Sequence, residues 1–335
     1  MPTYGIALFP QYTPPEFIRL CQQVEEGGFA HLWVPDERFF RDVAVQLTLA
    51  ATHTRRISIG SAVTDPFVRH PALTASLMAT LDELSGGRLV MGIGAGVSGF
   101  DAMGVKREKP ALALREGVAL MRALWQGGPV TFEGKSTSLR GGRLEYGPAR
   151  PGGPRVFIAS RGPAVLRLAG EVGDGALIGA LASEPGLRYA YSHIDAGLKK
   201  AGRDPKSLTR ALWLHTAVSA DGETAREAVR NIVAGALISS REVLGEMGLP
   251  IPEALLAAME GVTYGVNNPE MQRVARLVDD TTLGHFSVAG TPSEVRARMA
   301  EIGRLGIDHV AVLPWLTPGQ SMEQFIGLLA EAVAE

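Results

Sequence analysis

Short apolar runs alternate along this chain with longer segments whose apolar residues recur at helical spacing. Eight runs are strand-sized, and each is followed by a segment with the spacing of an amphipathic helix. In chain order they are YGIALF, AHLWVP, RISIGSAV, RLVMGIG, RVFIAS, GALIGA, LTRALWLHTAVS and DHVAVLPW. This alternation indicates βαβ units and a parallel sheet. Eight units predict an α/β fold of the (β/α)8 TIM-barrel class, in which a functional site lies at the carboxyl ends of the strands.

Two segments interrupt the alternation. Residues 127–153 are polar and rich in glycine, which predicts a β-hairpin. Residues 231–286 have helical spacing that Pro250 and Pro252 break, so we expect a helical insertion near the carboxyl-terminal face of the barrel. Because no linker, low-complexity tract or fixed-period repeat divides the chain, we expect residues 1–335 to form a single domain.

Charge and composition narrow the range of partners. The 335 residues carry a formal net charge of -2 and no long basic run, so neither nucleic acid nor an anionic membrane is expected as a partner. The apolar runs are too short to span a membrane. Because the amino terminus lacks a signal-peptide pattern and Cys21 has no second cysteine to pair with, we expect a cytoplasmic protein. The histidines lack metal-ligand spacing, and no metal site is predicted.

The stretch RLVMGIGAGVSGF contains a G-x-G-x-x-G pattern at 94–99. This pattern binds a dinucleotide when it follows a first strand and opens a helix. Here it follows the fourth strand, and the next helical pattern begins near Ala111. We therefore prefer a loop at the carboxyl end of strand four, where glycines let the backbone approach a flat or phosphorylated ligand. An ordinary tight turn is the alternative.

Four longer stretches carry a resemblance to a known family. They are GFAHLWVPDERF, ISIGSAVTDPFVRHP, ATLDELSGGRLVMGIGAG and IASRGPAVLRLAGEVGDGALIG. They resemble the luciferase-like family of flavin- and deazaflavin-dependent oxidoreductases, and VTDPFVRHP is most similar to its F420-dependent methylenetetrahydromethanopterin reductase branch. The resemblance covers roughly residues 3–215 and 286–330. It implies a barrel, usually a homodimer, that holds coenzyme F420 or FMN at its carboxyl-terminal face.

The resemblance also implies which residues form the site. Asp36 would contact the deazaflavin, and Glu37 would occupy the adjoining active-site position. A solvated carboxylate at a helix amino terminus is the alternative for both. A non-proline cis peptide bond would join Ala62 and Val63, in a bulge behind the central ring. The implied cofactor-binding residues are Asp36, Ala62, Val63, Thr64, Asp65, Ala95, Gly96, Ser160, Arg161 and Gly162.

Three of these residues form a candidate phosphate site. Ser160, Arg161 and Gly162 lie between the fifth strand and its helix, where backbone N–H groups and one guanidinium suit a phosphate. A surface arginine is the alternative for Arg161. By contrast, residues 85–88 (SGGR) lie on the opposite face of the barrel and are interpreted as structural. A structural role at a helix start is also preferred for His70.

Two positions depart from the relatives. Val97 stands where the sugar-phosphate dehydrogenase branch carries an acidic residue, and Ala7 stands where the methanopterin reductases carry a glutamate. Both departures argue against the substrates of those branches. The sequence therefore leaves the substrate open.

These observations favour an oxidoreductase that transfers hydride between coenzyme F420 and a small organic substrate. Asp36 and Glu37 would be its catalytic residues, polarising the ring or moving a proton, and the segment 231–286 would close over the substrate. An FMN-dependent luciferase-like monooxygenase is the first alternative. A non-catalytic flavin-binding barrel is the second.

Overall fold

The computed structural model describes residues 1–96, 98–265 and 268–334. The strands are β1 Thr3–Ala7, β2 His31–Val34, β3 Ser58–Thr64, β4 Leu89–Gly94, β5 Val130–Glu133, β6 Ser138–Gly142, β7 Arg155–Ser160, β8 Gly175–Gly179, β9 Thr209–Val218, β10 Ser287–Gly290 and β11 His309–Pro314. The α-helices are α1 Pro14–Glu26, α2 Val43–His53, α3 Pro71–Leu84, α4 Pro110–Trp125, α5 Pro163–Val172, α6 Glu184–Lys200, α7 Gly222–Ser239, α8 Leu244–Met247, α9 Glu253–Ala258, α10 Pro269–Ala275, α11 Asp280–Phe286, α12 Pro292–Arg304 and α13 Met322–Val333. Short 3-10 helices lie at Asp101–Met103, Pro205–Ser207 and Arg241–Val243.

The main sheet runs in the order β10-β9-β11-β1-β2-β3-β4-β7-β8, with an additional pairing between β9 and β8. The pairs β1–β11, β9–β11, β2–β3, β3–β4 and β4–β7 are all parallel. The eight predicted strands are β1, β2, β3, β4, β7, β8, β9 and β11. The predicted (β/α)8 barrel is therefore confirmed.

Both predicted insertions are confirmed in kind. The segment 127–153 contains the antiparallel pair β5–β6. The segment 231–286 holds the end of α7 and the short helices α8 to α11. The four-residue strand β10, which follows at once, was not predicted.

Several helices begin at a proline that follows a capping residue. Pro14 and Pro292 open α1 and α12, and in both helices the preceding threonine forms a capping box with the glutamate three residues later. Proline suits this position because its missing N–H would have no partner inside the helix. These signals fix where the chain leaves each strand-end loop and enters the next helix.

Contacts within the chain divide it into two compact units, so the single-domain prediction stays a prediction. One unit consists of residues 7–177 and 194–209 and contains β2, β3, β4 and β7 with helices α1 to α5. Its core includes the fully buried Trp33, whose ring packs against Gly60 and tilts onto Phe157 at 5.9 Å between ring centroids.

The other unit consists of residues 1–6, 178–193 and 210–335. Within it β1, β11, β9 and β10 pair in parallel, and α7 packs against α10 and α11 of the helical insertion. Phe286 and Phe325 are fully buried. Across the described ranges of the chain, no helix combines the length and the apolar character that a membrane crossing requires.

Candidate functional site

Asp36 lies just beyond the carboxyl end of β2, where Val34 ends the strand and a buried proline turns the chain. The hydroxyl of Thr64, at the end of β3, donates to Oδ2 of Asp36 at 2.8 Å. Burial raises the pKa of the Asp36 carboxyl above its ordinary value, although the Thr64 hydrogen bond and the guanidinium of Arg38 oppose the shift. Asp36 is therefore a carboxyl group suited to holding a proton.

Glu37 is tied to the loop that follows β4. The hydroxyl of Ser98 donates a short hydrogen bond to Oε1 of Glu37. Both residues are partly exposed. The structure thus brings both predicted catalytic carboxyl groups to one edge, where the ends of β2, β3 and β4 meet.

Asp65 has little capacity left for a ligand. Its Oδ1 accepts from the N–H groups of Phe67 and Val68 at 2.7 and 2.9 Å, and its Oδ2 pairs with the guanidinium of Arg38. Only 2% of the Asp65 side chain is exposed. Its contact with a cofactor stays a prediction, and its observed bonds all go to neighbouring protein groups.

The end of β3 has the predicted irregularity. Its register against β4 shifts between Ser61 and Thr64, and the peptide bond between Ala62 and Val63 is cis, so that prediction is confirmed. The bulge places the Ser61 carbonyl against Gly92 and the Val63 side chain against Gly92 and Gly94. A Cβ atom on Gly94 would lie 2.9 Å from a Val63 methyl group.

The glycines of the G-x-G-x-x-G pattern therefore serve a barrel loop and not a Rossmann helix. Gly94 makes room for the bulge, and the chain then turns through Asp101–Met103 before α4 begins at Pro110. Ala95 and Gly96 are partly exposed, and the carbonyl of Gly96 accepts from Arg107 at 2.6 Å. Val97 lies outside the described residues.

The candidate phosphate site follows β7, whose Ala159 pairs with Gly94. The Ser160 hydroxyl accepts from the N–H of Gly162 at 2.8 Å, and Gly162 is the residue that precedes the first turn of α5. Pro163 has no N–H, so the donors of this turn are the amides that come after it. Ser160, Arg161 and Gly162 are all partly exposed, as a phosphate site requires.

Two polar groups preferred as structural behave that way. His70 stands before α3, where its Nδ1 accepts from the N–H of Ala72 at 3.2 Å and its Nε2 lies 3.1 Å from the carbonyl oxygen of Ser138 in the hairpin. At the amino ends of the strands, the Arg88 guanidinium donates to four backbone carbonyl groups and to the Thr54 hydroxyl. The structural interpretation of both residues is confirmed.

Sequence reasoning missed Arg38, Ser98, Phe100 and Arg107. The guanidinium groups of Arg38 and Arg107 lie over the Phe100 ring, at 4.3 and 4.9 Å from its centroid. Arg38 did carry a signal, because it follows two acidic residues directly at a strand end. The other three lie in a loop, and hydrophobic periodicity does not predict the path of a loop.

The chain is similar to known enzymes over most of its length. The chain is 35% identical to the 5,10-methylenetetrahydromethanopterin reductase of Archaeoglobus fulgidus over 309 residues, covering 92% of each chain. It is 28% identical to the F420-dependent glucose-6-phosphate dehydrogenase of Microbacterium testaceum, covering 96% of this chain and 93% of that protein.

The solved structure of the coenzyme F420 dependent tetrahydromethanopterin reductase from Methanopyrus kandleri superposes with a TM-score of 0.85 at 29% identity, covering 99% of this chain and 98% of that one. The model of the family described as luciferase-like monooxygenase matches residues 4–309. The chain therefore belongs to the luciferase-like monooxygenase family, and within that family it is similar to F420-dependent reductases.

Proposed function

We propose that this protein is an oxidoreductase that transfers hydride between coenzyme F420 and a small organic substrate. One observation carries the proposal. The ends of β2, β3 and β4 form an edge with two carboxyl groups, Asp36 and Glu37, beside the β3 bulge that Gly92 and Gly94 of β4 accommodate. Such an edge offers a ring that lies against the bulge two groups able to hold a proton. The similarity to F420-dependent enzymes supports the choice of cofactor.

The residues present fit a phosphorylated deazaflavin. Ala62, Val63 and Thr64 would lie against the ring, Ala95 and Gly96 along the adjoining chain, and Ser160–Gly162 at the phosphate. When bound, the deazaflavin supplies the hydride chemistry, while the protein orients the reactants and manages protons. Asp65 would act within this set through the loop that its carboxylate organises.

Asp36 and Glu37 would have different roles in proton transfer. Burial favours the protonated form of Asp36, which then donates a hydrogen bond or a proton toward the bound ring. Glu37 is aimed by the Ser98 hydroxyl and would accept or relay a proton at the rim. The substrate stays open, and Ala7, at the buried end of β1, offers no carboxylate for a pterin.

Equilibrium titration tests the cofactor. The purified protein is titrated with F420 and, in parallel, with FMN. Each complex is then mixed with candidate alcohols while its cofactor is oxidised, and with oxygen, imines and enones after its cofactor has been chemically reduced. Two results support the proposal: tighter binding of F420 than of FMN, and a change in the absorption band of F420 when a substrate reduces or oxidises it. Tight binding of FMN with oxygen consumption would instead identify a monooxygenase.

We also propose a homodimer that pairs the outer faces of α2 and α3. Large apolar side chains are exposed there and in the preceding loop: Phe39 by 75%, Phe40 by 50%, Val45 by 53%, Leu73 by 64% and Leu84 by 46%. Exposed apolar side chains on neighbouring helices are a common feature of protein interfaces. Leu73→Glu should shift the sedimentation equilibrium toward monomer. Leu256→Glu, at an exposed leucine of α9, serves as the matched control, and an unchanged Leu73→Glu dimer would place the interface elsewhere.

The predicted cytoplasmic location is kept as part of the proposal. Cys21 is a buried free thiol, which suits a reducing compartment. Fractionation of the producing cell, followed by immunodetection of the protein, checks the location.

A further inference from the structure

Arg38 connects three loops that come from three different strands. It belongs to the turn after β2, its guanidinium pairs with Asp65 after β3, and the same group lies over the ring of Phe100 after β4. The Arg38 side chain is 9% exposed and that of Asp65 is 2% exposed. This is a buried connection and not a surface ion pair, so solvent and salt screen it little.

The two ends of the guanidinium have different partners. Nη2 pairs with the Asp65 carboxylate, and Nη1 donates to the backbone carbonyl oxygen of Asp36 at 2.8 Å. Asp65 in turn accepts from the N–H groups of Phe67 and Val68. Arg38 thereby fixes the peptide group from which the Asp36 side chain projects.

The contact with the loop after β4 is equally close. A Cβ atom on Gly99 would lie 2.7 Å from Cβ of Arg38, so the backbone of this loop touches the arginine stem. The Phe100 ring is 2% exposed and also stacks edge-on against Phe67 at 6.2 Å. Ser98, which holds Glu37, is the residue just before Gly99.

From this geometry we propose that Arg38, locked by Asp65 and packed on Phe100, is a positioning residue that aims the carboxyl groups of Asp36 and Glu37. It holds Asp36 through its carbonyl oxygen and holds Glu37 through the loop that carries Ser98. The role follows from the fork of the guanidinium, whose separated donors reach a carboxylate and a carbonyl in different directions while its flat face lies over an aromatic ring. The inference rests on the proposed function for its catalytic consequence, but not for its structural one.

Arg38→Lys is the decisive variant. Lysine keeps the charge that Asp65 needs, so the fold should survive, but its single ammonium cannot also reach the Asp36 carbonyl oxygen and cover the Phe100 ring. We expect kcat to fall about tenfold, because small displacements of catalytic groups cost that much or more. The melting temperature should stay within about 3 °C of the original.

Arg41→Lys is the matched control. Arg41 lies in the same loop, is exposed, and donates to the carbonyl oxygen of Gln11 at 2.6 Å. The same chemical change there should leave kcat and melting temperature as they were. The double variant Arg38→Met with Asp65→Asn removes the pair without leaving a buried unpaired charge, and it should reproduce the loss of kcat.

Hydrogen exchange on the cofactor-free protein separates the inference from the proposed function. Amides of residues 36–38 and 98–107 should exchange about fivefold faster in Arg38→Lys and unchanged in Arg41→Lys. If the original protein neither binds nor uses F420, the proposed function fails while this exchange result still decides the positioning role. Unchanged exchange and unchanged kcat in Arg38→Lys would overturn it, and so would a fall in melting temperature with full kcat in the folded variant.

Discussion

Charged side chains at the two ends of strands β2, β3 and β4 use their hydrogen bonds differently. At the amino ends, Arg88 donates to the carbonyl oxygens of Ala51, Thr54, Ile57 and Ser85, at 2.8 to 3.1 Å. A guanidinium has five N–H donors, and the Thr54 hydroxyl takes a further bond. Arg88 is therefore saturated by backbone groups and has no capacity for a ligand.

Glu25, at the same end, behaves in the same way. Its carboxylate accepts from the N–H groups of Arg55, Arg56 and Ile57, at 2.6 to 3.1 Å. Both charges at this end therefore satisfy backbone groups that would otherwise have no partner where α2 ends and β3 begins.

At the carboxyl ends each charged group has a side-chain partner, and Arg38 and Asp65 have backbone partners as well. Asp36 bonds to Thr64, Glu37 to Ser98, and Arg38 to Asp65. Asp36 and Glu37 are partly exposed. The hydrogen-bond partners of charged side chains therefore distinguish the two ends of these strands. Backbone partners indicate a role in stability, and exposed side-chain partners indicate a role in the chemistry.

Asp36→Asn should have the largest effect on this comparison. The amide can still accept from Thr64 but cannot hold or pass a proton, so we expect turnover to fall roughly a thousandfold, about 4 kcal/mol in barrier, with the melting temperature retained. Steady-state kinetics and thermal unfolding measure both. Asp42→Asn, at the exposed capping residue of α2, is the control. Full turnover in Asp36→Asn would remove this carboxyl from the chemistry.

Arg88→Ala should show the opposite profile. Loss of a charged donor set that serves four carbonyl oxygens should lower the free energy of unfolding by about 3 kcal/mol. Turnover of the folded variant and its affinity for cofactor should stay unchanged. Denaturant unfolding gives the first quantity, with Arg55→Ala, at an exposed neighbour, expected within about 0.5 kcal/mol of the original. A kinetic defect without a stability defect would reverse the assignment of the faces.

Arg161→Glu tests the carboxyl-end assignment at β7. Reversal of the charge should weaken binding of the phosphorylated cofactor about tenfold, or about 1.4 kcal/mol, because an attraction is lost and a repulsion is added. Fluorescence titration measures the Kd. Arg167→Glu, at an exposed position of α5, the helix that follows, makes the same change in net charge and is the control. Equal Kd values in both variants would move the phosphate to another loop.

Glu25→Gln should have the smallest effect, and it should depend on pH. Burial alone would raise the pKa of Glu25, but the hydrogen bonds from the backbone of Arg56, Arg55 and Ile57 lower it below the ordinary value of 4.5. Because its pKa is lower in the folded state, the Glu25 carboxylate stabilises the fold at pH values above its ordinary pKa. That contribution is lost as the pH falls through the folded-state pKa. We expect the variant to lose about 1 kcal/mol at neutral pH and to converge with the original in acid. A difference in the free energy of unfolding between the two proteins that stays the same at every pH would contradict this.

The strands and helices were predictable because their apolar periodicity is local. The eight barrel strands and the hairpin follow from runs of a few residues each. The cis bond at Ala62–Val63 came from family resemblance, since RISIGSAV has the pattern of an ordinary buried strand. Strand β10 was not predicted.

The network around Arg38 could not be predicted in the same way. Its partner Asp65 lies 27 residues away, and nothing in the composition of either loop pairs them. The family resemblance implied that Asp65 contacts the cofactor. Its partners depend on how three loops fold against each other, which is a property of tertiary packing and not of spacing.

The fit of the β3 bulge onto Gly92 and Gly94 also has a consequence for how the two strands evolve. The carbonyl of Ser61 and the side chain of Val63 occupy the space that side chains on those glycines would need. Neither feature can be altered first without a clash or a void, so lineages should inherit or lose them together. A relative with alanine at either glycine should have a straight third strand, and libraries that randomise the fourth strand should recover glycine there unless the third strand is varied as well.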